Sequence, residues 1–467
     1  MPSITTAQNI NAASGLDTHK NYYGPLFLVT LLFFMWGFIT CMNDILIPHL
    51  KSVFTLQNWQ AMLIQTAFFG AYFIISLLYY VVSVSKGDPI GRIGYKNGII
   101  TGLLVTALGC TLFYPAAIFV NYAFFLFALF VLAAGITILQ IAANPYVTIL
   151  GKPGGASSRL NMTQAFNSLG TTIAPLIGGY LVFGNTGAGT TGADAVKIPY
   201  IGLALVLILM AFIFRLFKLP EVGAHGALKV EKGEAARHKH LVLGMVAIFA
   251  YVGGEVTIGS NLIGFAAQPD IAGLKEGEAS HFLALFWGGA MVGRFFGAVA
   301  LADLKHTGMR LVVIAGIAII TFITLFSVYE TEIVKYASGF ILLNVAVLLL
   351  GKFIPNRTLW LFSVSVMVCL AMGIVLEGTI ALWAVVSIGL FNSIMFPTIF
   401  SLAIKGLGKQ TAQGSSLLVM AIVGGALLPP AQGVVTDLTG SVQLSFVVPL
   451  VCYAYIAYYG IRGYKRC

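Results

Sequence analysis

Charge is scarce in this chain of 467 residues. Asp, Glu, Lys and Arg make up 9% of it, and only 16 residues are acidic, whereas soluble domains carry about 25% charged residues. That shortage excludes a soluble globular domain and a charge-rich disordered one. Cysteine is rare too: Cys41, Cys110, Cys369, Cys452 and Cys467 show no metal-ligand spacing, and four lie in apolar surroundings as small core residues do. No His/Cys/Glu cluster, nucleophile elbow or phosphate-binding loop is present, so neither an enzyme nor a resident cofactor is expected. The polar N-terminus, residues 1–24, has no basic region leading into an apolar core. It reads as a cytoplasmic tail and not a cleaved signal.

What fills the chain is apolar, 58% of it, with a mean hydropathy of +0.93. Many runs reach the ~20 residues that cross a ~30 Å hydrocarbon core. The fold class is therefore an all-α polytopic membrane protein. Spans are expected near 25–50, 60–84, 97–118, 121–150, 163–183 and 199–219, then, after a polar linker at 221–240, near 241–267, 281–302, 310–328, 336–351, 357–376, 379–404, 412–436 and 442–464. That makes fourteen. With the N-terminus inside, all 26 Lys and Arg except Lys51, Lys197, Lys275 and Lys335 fall at cytoplasmic ends and loops, the asymmetry of the positive-inside rule. The net charge of +10 is thus topological and does not point to nucleic acid. Both termini are expected on the cytoplasmic side of an inner membrane.

The chain also echoes itself. The stretch from Asn144, NPYVTILGKPGGASSRL, is answered from Phe396 by FPTIFSLAIKGLGKQTAQGSSLL: Pro145 matches Pro397, Lys152 matches Lys405, and Ser158 matches Ser416. A repeat on one side of the membrane implies two parallel halves, 25–220 and 241–464. The loop KGDPIGRIGYK brings Gly87, Asp88, Gly91 and Arg92 together, and GGAMVGRFFGAVALADLK brings Gly293, Arg294, Gly297 and Asp303. Small residues let helices approach and the charges can pair across an inner face, so both stretches are read as gate elements.

These features, with MNDILIPH, YKNGIITGLLVTALG, AANPYVTILG, RLNMTQAFNSLG and FPTIFSLAIKGLG, resemble the fucose permease family of major-facilitator sugar symporters. GLFNSIMFPTIFSLAIKGLGK and YVGGEVTIGSNL are similar to its glucose/galactose transporter branch. The resemblance implies a monomeric twelve-helix core and cation-coupled import of a monosaccharide. It leaves two helices over, assigned to an insertion at about 336–376. It also places a Glu in the fourth span where Gln140 stands and a Gln in the seventh where Glu255 stands.

Two carboxylates lie well inside spans, Asp44 and Glu255. A charged side chain there costs at least ~2.5–3.5 kcal/mol, so it faces a cavity or a partner. Pro48, four residues after Asp44, lacks an N–H and deprives a carbonyl at that level of its helical partner, which suits a cation; Asp44 is the candidate Na⁺ ligand. Asn43, Gln140, Asn144, Gln164, Asn167, Asn261 and Asn392 are in-span amides. An amide both donates and accepts, as a sugar hydroxyl does. Gln140 and Asn144 share one helix face, and Gln164 and Asn167 another. The resemblance gives sugar binding to Gln164, Asn167 and the Gln140 position, while interhelical hydrogen bonding is the structural alternative for every amide. Trp287 is a candidate platform for a pyranose face.

Cation coupling is assigned to Asp44, Glu255, Asn43 and Gln140. One charge crossing 100 mV supplies about 2.3 kcal/mol, roughly fiftyfold accumulation. Because Gln140 removes a protonatable group and keeps an oxygen, Na⁺ is favoured over H⁺ as the co-transported cation. Glucose or galactose leads among substrates, with L-fucose and N-acetylglucosamine as alternatives. A drug or cation exporter and a non-transporting sugar sensor are the readings outside this class.

Overall fold

Among the described residues, fourteen long helices account for most of the structure. The computed structural model describes residues 22–86, 89–150, 156–183, 192–217, 219–220, 237–300, 307–405, 407 and 411–465, and among them there is no β-strand. In chain order the helices are α1 (Tyr23–Phe54), α2 (Leu63–Lys86), α3 (Tyr95–Phe119), α4 (Tyr122–Ile149), α5 (Ala156–Phe183), α6 (Lys197–Leu216), α7 (Lys239–Ala266), α8 (Glu276–Ala300), α9 (Thr307–Val328), α10 (Thr331–Leu350) and α11 (Pro355–Val375). Then come α12 (Gly378–Asn392, continued by Met395–Ala403), α13 (Thr411–Met420, continued by Gly424–Thr439) and α14 (Val447–Tyr458). Among the described residues, thirteen stretches are long and apolar enough to cross a membrane.

Prolines shape the helices that matter most. α1 runs unbroken through Pro48, whose missing N–H leaves the carbonyl of Asp44 without its helical partner. In α12, Pro397 does the same to Ser393, and the helix breaks there. In α13 a short 3-10 turn, Ala421–Val423, precedes Gly424 and the pair Pro429 and Pro430. Neither interruption is visible in hydropathy alone.

The chain divides into two compact units, one formed mainly by residues up to 232 and the other by those from 233 onward. In the first unit α3 packs along α4 and α6, and α2 along α4. Glycines permit the α3–α4 approach: a Cβ at Gly109 would overlap the backbone of Leu132, and one at Gly135 the backbone of Thr106. In the second unit α11 packs along α12 and α14, and α8 along α12, with α7 against α12, α13 and α14. This repeats the pairing of α3 and α2 around α4. α9 packs on α8 and α10 and has no equivalent pairing in the first unit; only 6% of its most apolar stretch is buried. The second unit also takes in residues 57–62. There the carboxylate of Asp437 accepts from Asn58 N and Trp59 N, both at 2.9 Å, and from Asn58 Nδ2 at 2.7 Å, satisfying free N–H groups at the start of the short helix Asn58–Ala61.

Overfilling the α3–α4 contact should cost stability. Gly109→Val is expected to destabilise by about 1–3 kcal/mol or more, whereas Gly202→Ala, where an added Cβ meets nothing, should be neutral or stabilising. Thermal unfolding of the two purified variants in detergent checks the opposite signs.

Candidate functional site

Within the first unit, one face of α1 presents Trp36, Thr40, Asn43 and Asp44. Asp44 is buried, and its Oδ1 accepts from Gln65 Nε2 of α2 at 2.9 Å, while Cys41 Sγ lies 3.8 Å from Oδ2. Two turns away, Trp36 Nε1 donates to the hydroxyl of Tyr72 at 3.2 Å, and the side chains of Gln140 and Thr40 lie close to the same hydroxyl. α1, α2 and α4 thus meet around a tyrosine and a carboxylate. Asn43 is buried beside them, and its Nδ2 has no partner among the described residues. The same holds for Oδ1 of Asn144 on α4. A buried polar group left unpaired costs about 1–3 kcal/mol, so these atoms are the ones a ligand hydroxyl would relieve. Gln164 and Asn167 are half-buried on α5. Asn167 Nδ2 donates to the Phe33 carbonyl of α1 at 3.0 Å, which engages that amide between helices and leaves its oxygen for a ligand.

The second unit holds Glu255. The hydroxyl of Tyr251, one turn earlier on α7, lies 2.7 Å from Glu255 Oε1 and 3.1 Å from the carbonyl of Asn392 at the α12 break. Tyr453 of α14 donates to Asn392 Oδ1 at 2.7 Å, and Asn392 Nδ2 is buried without a partner among the described residues. Arg294 of α8 is near enough to act on Glu255 electrostatically. The tyrosine hydroxyl owns one proton and faces two acceptors. With Glu255 ionised, the phenol donates to it in a charge-assisted bond. With Glu255 protonated, the carboxyl donates to the phenol oxygen and the phenol turns to the Asn392 carbonyl. The same hydroxyl thus touches both the carboxylate and the break in α12.

Asn261 Nδ2 is spent on the carbonyl of Thr257 in its own helix. Trp287 is half-buried and stands edge-on to Phe286, with ring centroids 5.1 Å apart. Gly91 and Arg92 fall in a short helix, Pro89–Ile93; Gly87, Asp88 and Asp303 lie outside the described residues. Among the described residues no group of three or more His, Cys, Asp and Glu side chains is gathered as for a metal. The sequence did not single out Gln65, Tyr72, Tyr251 and Tyr453. Their signal was faint: Tyr251 stands four residues before Glu255, and Gln65 and Tyr72 are seven apart on one face of α2.

Two units of packed apolar helices, each with polar groups buried inside a long apolar stretch, are the architecture of a membrane transporter. Residues 26–347 match the profile of the Major Facilitator Superfamily. The chain belongs to that superfamily, in its fucose permease-like family and the glucose/galactose branch of it. It is 49% identical to the glucose/galactose transporter of Brucella abortus, with 96% of each chain covered. It is 32% identical to the L-fucose-proton symporter of Escherichia coli, over 94% of this chain and 92% of that one. The crystal structure of the E. coli fucose:proton symporter superposes with a TM-score of 0.62 at 29% identity, over 95% of this chain and 99% of that one.

The tyrosine–amide contact is open to a double-mutant test. Tyr453→Phe should cost about 1–3 kcal/mol, since the buried Asn392 amide then loses the donor to its oxygen, and adding Asn392→Leu should recover part of that loss. Unfolding midpoints of the single and double variants give the sign and the coupling.

Proposed function

We propose that the chain imports a monosaccharide, glucose or galactose, together with one cation by alternating access, and that the cation is a proton. The observation that carries the reading is the single proton of Tyr251 shared between Glu255 and the Asn392 carbonyl. A Na⁺ site calls for several oxygens aimed inward. Asp44 accepts from an amide N–H and lies beside a thiol, and Glu255 accepts from a phenol, groups that answer a carboxylate's protonation. These contacts, with the relative named for L-fucose and proton, support the proton over the Na⁺ that the sequence favoured.

For the substrate, 49% identity to a glucose/galactose transporter outweighs 32% to an L-fucose symporter. The amides of Gln140, Gln164 and Asn167, with the oxygen of Asn144, bind hydroxyls from the first unit, and Asn392 does so from the second. Asp44 and Glu255 carry the coupling. Asn261, already bonded within its helix, is a weaker candidate for the sugar. The loop elements at Gly87, Asp88, Gly91 and Arg92 and at Arg294 and Asp303 act as the inner gate. The charge asymmetry supports cytoplasmic termini in an inner membrane, with the chain working as a monomer.

Proteoliposomes holding the purified protein test this with labelled glucose. An inward proton gradient should drive accumulation, to which a potential of 100 mV by itself contributes roughly fiftyfold for one charge, and an inward Na⁺ gradient alone should not. Accumulation on Na⁺ alone overturns the coupling, and uptake of L-fucose without glucose or galactose overturns the substrate. Asp44→Asn and Glu255→Gln should each abolish uphill transport. Tyr251→Phe should lower accumulation at least tenfold while glucose exchange at equal concentrations continues.

A further inference from the structure

A cavity lined by neither buried carboxylate lies where α9 and α10 meet α8 and α12, with Thr172 and Leu176 of α5 also on its wall. Its volume is about 490 Å³. Its walls include Ile317 and Val328 of α9, Ala337 of α10, Gly288 of α8 and Trp383 of α12, with Tyr329 at one end. The lining is almost wholly apolar, and an apolar cavity does not hold water. The lining residues of α9 recur every three or four positions, so one helix face borders it along its length. From Ile317 to Val328 that wall measures about 17 Å at 1.5 Å per residue, close to one leaflet of a ~30 Å hydrocarbon core. Taking a methylene as about the size of a water, ~30 Å³, the volume holds about sixteen of them.

The far end is polar. The turn between α9 and α10 carries Glu330 and Glu332, with Lys335 exposed on the first turns of α10. Tyr336 stacks on Trp383 there, with centroids 5.5 Å apart and planes 18° apart, as aromatic side chains do at a membrane surface. A cavity one leaflet deep, apolar within and polar at the mouth, has the shape and chemistry of a lipid tail below its headgroup. α11 packs on α12 and α14 as α3 packs on α4 and α6, and α9 and α10 are the helices without such a counterpart.

We propose that α9 and α10, and not the stretch 336–376, are the added pair, and that they enclose with α8 and α12 a seat for one phospholipid acyl chain. The pair is then fastened to the second unit partly through lipid, which explains why the most apolar stretch of α9 buries so little of itself against protein.

Trp383, only 3% exposed, is the reporter. The protein is reconstituted in phosphatidylcholine brominated at mid-chain, and tryptophan emission is compared with that of Trp383→Phe. The difference, which is Trp383's own emission, should fall at least twofold against unbrominated lipid. Native mass spectrometry after detergent exchange should show one phospholipid retained on wild-type protein. Failure of either result in the wild type overturns the seat. Ala337→Phe, which fills the cavity, should lower lipid retention at least tenfold and protect Trp383 from bromine. A folded Ala337→Phe that keeps its lipid also overturns the proposal, and where that variant does not fold the wild-type quenching decides.

Discussion

Hydrocarbon offers no hydrogen bonds, so a polar group at bilayer depth must find its partner inside the protein. Most of the site follows from that constraint. Asp44 is tolerable because Gln65 reaches it from α2, and Glu255 because Tyr251 stands one helical turn away. Removing either donor would weaken what holds that carboxylate and open it further to water or a proton. That is the condition under which a carboxylate becomes a coupling group and not merely a structural one.

The prolines act through the same constraint. Each one strips a helical partner from a carbonyl four residues earlier, and the polar residues of the site gather at those levels. Pro48 deprives the carbonyl of Asp44 itself. Pro397 deprives that of Ser393, next to Asn392, and Pro145 that of Ile141, next to Gln140. The internal repeat that matches Pro145 with Pro397 therefore matches Gln140 with Asn392. Asn392 Oδ1 accepts from the hydroxyl of Tyr453 in the second unit, and in the first the side chain of Gln140 lies close to the hydroxyl of Tyr72. The outcomes differ locally, since α4 stays helical through Pro145 while α12 breaks before Pro397.

The number and class of helices and the family were legible because hydropathy, charge placement and the repeat are properties of short stretches. The carboxylates were legible because a charge inside a span is rare. Their donors were not: Gln65 and Tyr72 are ordinary residues of an apolar helix until folding sets them against α1. Helix neighbours were not legible either: an apolar run announces a span but not what it packs on, and only the fold shows that α11 packs as α3 does. Asn167 and Asn261 show the ambiguity of in-span amides, since an amide that binds a sugar and one that binds a carbonyl look alike in sequence.

The two units place equivalent groups on equivalent helices and use them differently. The opening helix of each, α1 and α7, carries the buried carboxylate, and the helix answering α4, which is α12, carries the amide. In the first unit the carboxylate is held from another helix, through Gln65, so its environment changes when α1 and α2 shift. In the second it is held from its own helix through a phenol that also touches α12. Protonation of Glu255 therefore changes a contact between helices, whereas movement of helices changes the contact to Asp44. The proton–sugar coupling proposed above needs both directions of that linkage, and two units that repeat one proline-marked pattern, with different partners for the carboxylate, offer one contact of each kind.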